Sequence, residues 1–182
     1  MRGSMVFVVV ASAAVLGTVG GSPAGAGACA GADRTASSAT IAQTRAALRC
    51  LIDAARADRS LAGLKADARL QSAAQKFARA LDPGKPLTHA GRGGSTPLDR
   101  IADSGYARGA SGFTAAETLG RSHGSLSTPA ARVKAWLADA GTRRLLLGAR
   151  YRDVGIGVVS RGDVTTFVVE IAARATASRS AR

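Results

Sequence analysis

The chain holds only two histidines, His89 and His123, and only two glutamates, Glu117 and Glu170. An imidazole beside a carboxylate can ligate a metal, carry a proton or form a hydrogen-bonded strut, so these residues open the question of chemistry. A two-carboxylate glycosidase centre is poorly supported. Asp and Glu together number 12, and Glu170 lies in an alternating terminal segment that reads as a surface strand. Gly120-Arg121-Ser122-His123-Gly124 fits the G-x-S-x-G pattern that places a nucleophilic serine on a strand-to-helix elbow. The residues from Ser125 onward do not open a helix at once, and no histidine comes after His123, so the order Ser, Asp, His cannot be completed. Cys29 and Cys50 are the only cysteines, and in an exported chain they are expected to pair. Such a bridge closes a loop of about 20 residues, worth about 3 kcal/mol on the chain-entropy argument. Lipid modification of Cys29 is the alternative, although Ala26 stands where such sites usually carry leucine.

The elements that must position these groups follow from periodicity. Ile41, Leu48, Leu51, Ile52 and Ala55 recur at helical spacing, with Arg45, Arg49, Asp53 and Arg56 between them and Thr40 as a cap. A second helix is expected after Asp67, with Leu70, Ala73, Ala74, Phe77 and Leu81 on one face, ending at Asp82-Pro83-Gly84. His89 falls in the following loop. Thr96-Pro97 and Thr128-Pro129 each open a helix, with proline in the first turn. Trp136 sits on the core face of the latter, and 143–147 reads as one more helical turn. Residues 113–119 suggest a short strand and 120–127 a polar loop. The β-branched runs 154–160 and 164–172, split by Arg161-Gly162-Asp163, signal a hairpin. Tyr106 and Tyr151 read as packing residues with solvated hydroxyls. Helices first and a terminal hairpin last predict an α+β domain.

The ends bound the compartment. Arg2, the apolar stretch from Met5 to Val19 and the small residues ending at Ala28 have the layout of a signal peptide, and the stretch is short for a membrane span. The expected division is a signal peptide over 1–28, a flexible leader over 29–40, one domain over 41–174 and a disordered basic tail over 175–182. No transmembrane segment is expected after signal removal. The formal charge of +13 favours anionic partners such as wall polymer, acidic polysaccharide or lipid headgroups. Aromatics form 4% of the chain, too few stacking platforms for a specific nucleic-acid reader.

The motifs also run in a specific order. Leu51-Ile52-Asp53-Ala54-Ala55-Arg56, Leu61 to Leu70, Leu87-Thr88-His89, Gly94 to Ile101 with Ser104-Gly105-Tyr106, Ala116-Glu117-Thr118-Leu119, Val133 to Leu137, and Arg150 to Val158 resemble the motif series of the CAP superfamily. That superfamily joins cysteine-rich secretory proteins, antigen 5 and pathogenesis-related proteins, and the chain is similar to its short bacterial secreted branch. The resemblance implies a three-layer α-β-α sandwich, with four main helices around a small antiparallel sheet. It also implies a cleft in which His89 and Glu117 stand at two of the family's His/Glu positions. Thr142 replaces a further histidine and Thr118 the asparagine after the glutamate. Metal ligation by His89 and Glu117 alone is therefore weak, since an open zinc site wants three protein ligands. His123 lies outside the family positions. The expectation is a secreted or envelope-associated binding module without a cofactor, its cleft lined by His89, Glu117 and Thr142. Its partner would be an anionic wall polymer, a lipid or a protein. The alternative is a metal-dependent hydrolase using His89 and Glu117, with zinc as the metal.

Overall fold

A computed structural model describes residues 29–175. The expected signal peptide and all but the first residue of the expected tail lie outside that range. The elements run α1 (Ile41–Ala57), β1 (Lys65–Ala66), α2 (Ala68–Ala80), α3 (Pro97–Asp103), β2 (Gly112–His123), α4 (Pro129–Ala138), α5 (Ala140–Leu146), β3 (Asp153–Arg161) and β4 (Val164–Ala175).

Local sequence starts each of the first four helices. Thr40 and Gln43 form a reciprocal capping box at α1, and the Asp67 carboxylate accepts from the Arg69 and Leu70 amides at α2. Thr96 and Asp99 form a second box at α3, whose Pro97 needs no intrahelical N–H partner. Bonds from Thr96 hold the Asp99 carboxyl below its usual range. Thr128 caps α4.

The sheet order is β1-β3-β4-β2, with β3, β4 and β2 antiparallel and the two-residue β1 parallel to β3. Alternation along β4 divides two cores. Phe167, Val169 and Ile171 pack with Leu48 and Ile52 of α1, Val133 and Trp136 of α4, and Leu146 of α5. Val168 and Ala172 face the other way, against Ala74 and Phe77 of α2 and Ile101 of α3. This is the expected α-β-α sandwich. Its middle strand, β4, is covered on both faces.

Several local expectations are corrected. The leader is packed, not loose: Cys29, Ala32 and Ala36 are buried, and the Ala36 amide donates to Ser127 O while Ala130 N donates to Ala32 O. The polar run after residue 119 continues β2 as far as His123. Arg56 is fully buried, its guanidinium donating to the carbonyls of Ala62, Leu146 and Gly148. The Tyr106 hydroxyl is buried and donates to Asp153 at 2.6 Å; burial, then that bond, pushes its ionisation upward. Cys29 and Cys50 are joined in a disulfide, as expected.

Candidate functional site

Antiparallel pairing places Glu117 of β2 directly opposite Glu170 of β4. Directly opposed residues share a sheet face. Glu170 lies between Val168 and Ala172 in the alternation, so both carboxyls project toward the α2–α3 layer. The long connection after α2 passes this face and carries His89. Arg121 of β2 holds that connection by donating to the carbonyls of Asp82 and Lys85. The His89 Nδ1 stands 2.7 Å from Glu117 Oε1 and, against a carboxylate, is the donor. The second oxygen, Oε2, accepts from Arg100 at 2.8 Å.

Arg100 follows the capping box of α3 by one residue, so the cap sets the turn that aims it. Its other terminal nitrogen donates to Ser95 O at 2.8 Å, and its guanidinium carbon lies 3.6 Å over the Phe77 ring. The carboxylate is therefore gripped by an imidazole and a guanidinium of unequal exposure. The Glu117 side chain is 1% exposed, Arg100 13% and His89 57%.

Glu170 completes the cluster and corrects its reading as a surface residue. It is fully buried, and neither carboxyl oxygen has a hydrogen-bond partner among the described residues. Burial first, and then the neighbouring Glu117 charge, push its pKa up to about 8, against a smaller opposing pull from Arg100. At neutral pH Glu170 is the neutral acid.

The donor set does not fit zinc. Each Glu117 oxygen is engaged by a protein donor, and a guanidinium already supplies positive charge beside it. No group of three His, Cys, Asp or Glu that could hold a metal occurs among the described residues. His123 stands at the far end of β2, 3.9 Å from Asp163. Thr142 is in the first turn of α5, where its amide donates to Asp139 at 2.7 Å; it makes no hydrogen bond to His89 or Glu117. Ser122 of the G-x-S-x-G match is a buried strand residue whose hydroxyl accepts from Arg132, not an exposed elbow.

Comparison with known proteins agrees with this frame. Residues 50–171, more than half of the chain, match the family model described as the cysteine-rich secretory protein family, CAP. The chain belongs to the CAP family. Among solved structures, this CAP domain is similar to an outer surface protein of Borrelia burgdorferi, with TM-score 0.64 and 22% identity over 75% of this chain and 96% of that one. It is also similar to an extracellular SCP-domain protein of Bacillus anthracis, with TM-score 0.58 and 19% identity over 73% of this chain and 43% of that one. A cysteine-rich secretory protein of Staphylococcus aureus gives TM-score 0.50 and 18% identity, over 68% and 36%. These likenesses show the fold. No curated protein matches the sequence.

Arg100 and Glu170 are the site residues that sequence reasoning missed. Arg100 was visible as the Arg of the Thr-Pro-Leu-Asp-Arg-Ile run, one step past a readable capping box. Glu170 stands alone among Phe167, Val168, Val169 and Ile171, and so many β-branched or aromatic residues in a row mark a strand buried on both faces.

Proposed function

We propose that this CAP domain is an extracellular binding module retained at the cell envelope by anionic polymer, and that its inherited His/Glu site serves as an ion network. The observation that carries the second part is the saturation of Glu117 by His89 and Arg100. A carboxylate so engaged is neither a free metal ligand nor a free base. A metal-dependent hydrolase on the same pair would have to displace the Arg100 guanidinium and recruit a ligand from elsewhere. The first part is supported by a formal charge of +13 and by a disulfide suited to an oxidising compartment. No described helix is long and apolar enough to cross a membrane.

The test is co-sedimentation of the purified protein with insoluble cell-wall material, intact or stripped of its acidic polymers. Retention on intact wall at low salt, and release near 1 M salt, where the screening length falls to roughly 3 Å, is the expected result. Equal retention on stripped wall, or none on either, would remove this reading.

A further inference from the structure

The retention proposed above names no place on the molecule, and the exposed groove between α1 and α2 supplies one. Two adjoining hollows, of about 260 and 280 Å³, share Arg45 and Gln71 in their walls. Arg49 of α1 completes the cationic rim on one side, and Lys76 and Arg79 of α2 on the other. Neither wall contains an acidic residue. None of the four cations forms a salt bridge among the described residues. Asp67, next in the chain to the groove residue Ala68, is taken up by the α2 amides and lies 3.7 Å from Arg174.

The central cation is also held in place. Arg45 donates to Gln75 Oε1 at 2.5 Å. Gln75 is buried and fixed in turn to β3, accepting from Val158 N at 3.0 Å and donating to Val158 O at 3.1 Å. The guanidinium is thus anchored by a neutral amide where a carboxylate would have cancelled its charge. Its Nε is buried without a partner. Burial, and then the like charge of Arg79, pull the Arg45 pKa below its ordinary value. Arg45 and Arg79 thus line one hollow with no carboxylate between them, an arrangement suited to an anion.

Resting on the envelope-binding reading, we propose that the α1–α2 groove is a phosphate-binding site, taking the phosphate groups of a polyanion between Arg45 and Arg79, with Arg49 and Lys76 on neighbouring charges. Phosphate suits the site because guanidinium forks bind its oxygens in pairs and a chain of phosphates can span both hollows.

Titration calorimetry with tripolyphosphate tests the site directly, on the purified protein with its disulfide intact. The variant Arg45→Gln/Arg79→Gln is expected to bind at least tenfold more weakly. The control Arg34→Gln/Arg59→Gln, which removes the same charge from two exposed positions outside the groove, is expected to change affinity less than twofold. Arg79 is exposed on α2, so Arg79→Gln alone keeps the test open should the double variant fold poorly; it should cost about threefold. Equal losses in the two double variants would overturn the groove and leave delocalised retention standing. No binding of tripolyphosphate by the parent protein, with wall retention intact, would likewise overturn the groove alone. Soluble poly(glycerol phosphate) and phosphatidylglycerol vesicles then distinguish the source of the phosphate. Groove-dependent binding to the soluble chain assigns a polymer, and to vesicles alone a lipid headgroup.

Discussion

Glu117 and Glu170 oppose each other across one ladder, yet their surroundings differ. Glu117 has an imidazole and a guanidinium; Glu170 has neither, and stays protonated until about pH 8. Unfolded, the Glu170 carboxyl would ionise near its ordinary 4.5. Between those values the folded chain keeps a proton that the unfolded chain has released, so this residue lowers stability progressively as pH rises from about 4.5 to about 8 and adds no further slope above. At about 1.4 kcal/mol per tenfold change in proton affinity, the whole effect is a few kcal/mol. Glu170→Gln should therefore flatten the pH dependence of the unfolding free energy between pH 5 and 8, gaining most at pH 8. Urea titrations at several pH values measure this, and parallel curves for the two proteins would refute it. The His89–Glu117 pairing was readable from motif order, because each residue sits in a recognisable local run. Glu170 was misread, because alternation along a terminal hairpin suggests a wet face; the apolar run around it pointed the other way, and the α2–α3 layer packed on that face is what buries it.

At the scale of elements, β3 admits α2 so closely that two of its positions have no room for a side chain. A Cβ at Gly155 would fall on the backbone of Leu70 and Gln71, and one at Gly157 on the backbone of Ala74. Backbone of a packed helix yields little, so overpacking applies in full. Gly157→Ala is expected to destabilise by about 2–3 kcal/mol in denaturant unfolding. Gly112→Ala, whose added methyl meets nothing within 4 Å, should stay within about 0.5 kcal/mol. Similar losses at both positions would indicate a propensity effect and not helix contact. The hairpin itself was plain from two β-branched runs around Gly162, which takes φ +61° at the turn. The full length of β2 was hidden because Gly120 and Ser122 weaken its strand signal, and because its partner β4 lies far onward in the chain. Arg56 reads as a polar-face residue because, in sequence, its charge outweighs its spacing. Carbonyls from the last residue of α5 and the turn after it, 90 and more residues away, are what make its burial tolerable.

Across the whole molecule, the disulfide ties the start of the described chain to α1 and thereby docks the small-residue leader between that helix and α4. The loop it closes spans 21 residues in sequence, so a Cys29→Ser/Cys50→Ser variant should lose about 3 kcal/mol of unfolding free energy. Hydrogen exchange locates the effect: the Ala36 amide, bonded to Ser127 O, should lose protection before those of β3 and β4. Unchanged protection at Ala36 would mean that the leader docks without the bridge. The cysteines announced the bond, but Ala32 and Ala36 offered no periodic signal that their segment is buried. Likewise the net charge was evident at once, whereas the meeting of Arg45, Arg49, Lys76 and Arg79 at one groove emerges only from the fold.

On the reading proposed here, the Glu117 carboxylate is held by His89 and Arg100 and offers no seat for a catalytic metal. Equilibrium dialysis of the purified protein against zinc at neutral pH, followed by metal analysis, tests this most directly when His89→Ala is measured alongside. The same sub-stoichiometric zinc content is predicted for both proteins. About one equivalent bound by the parent chain and lost in the variant would contradict it.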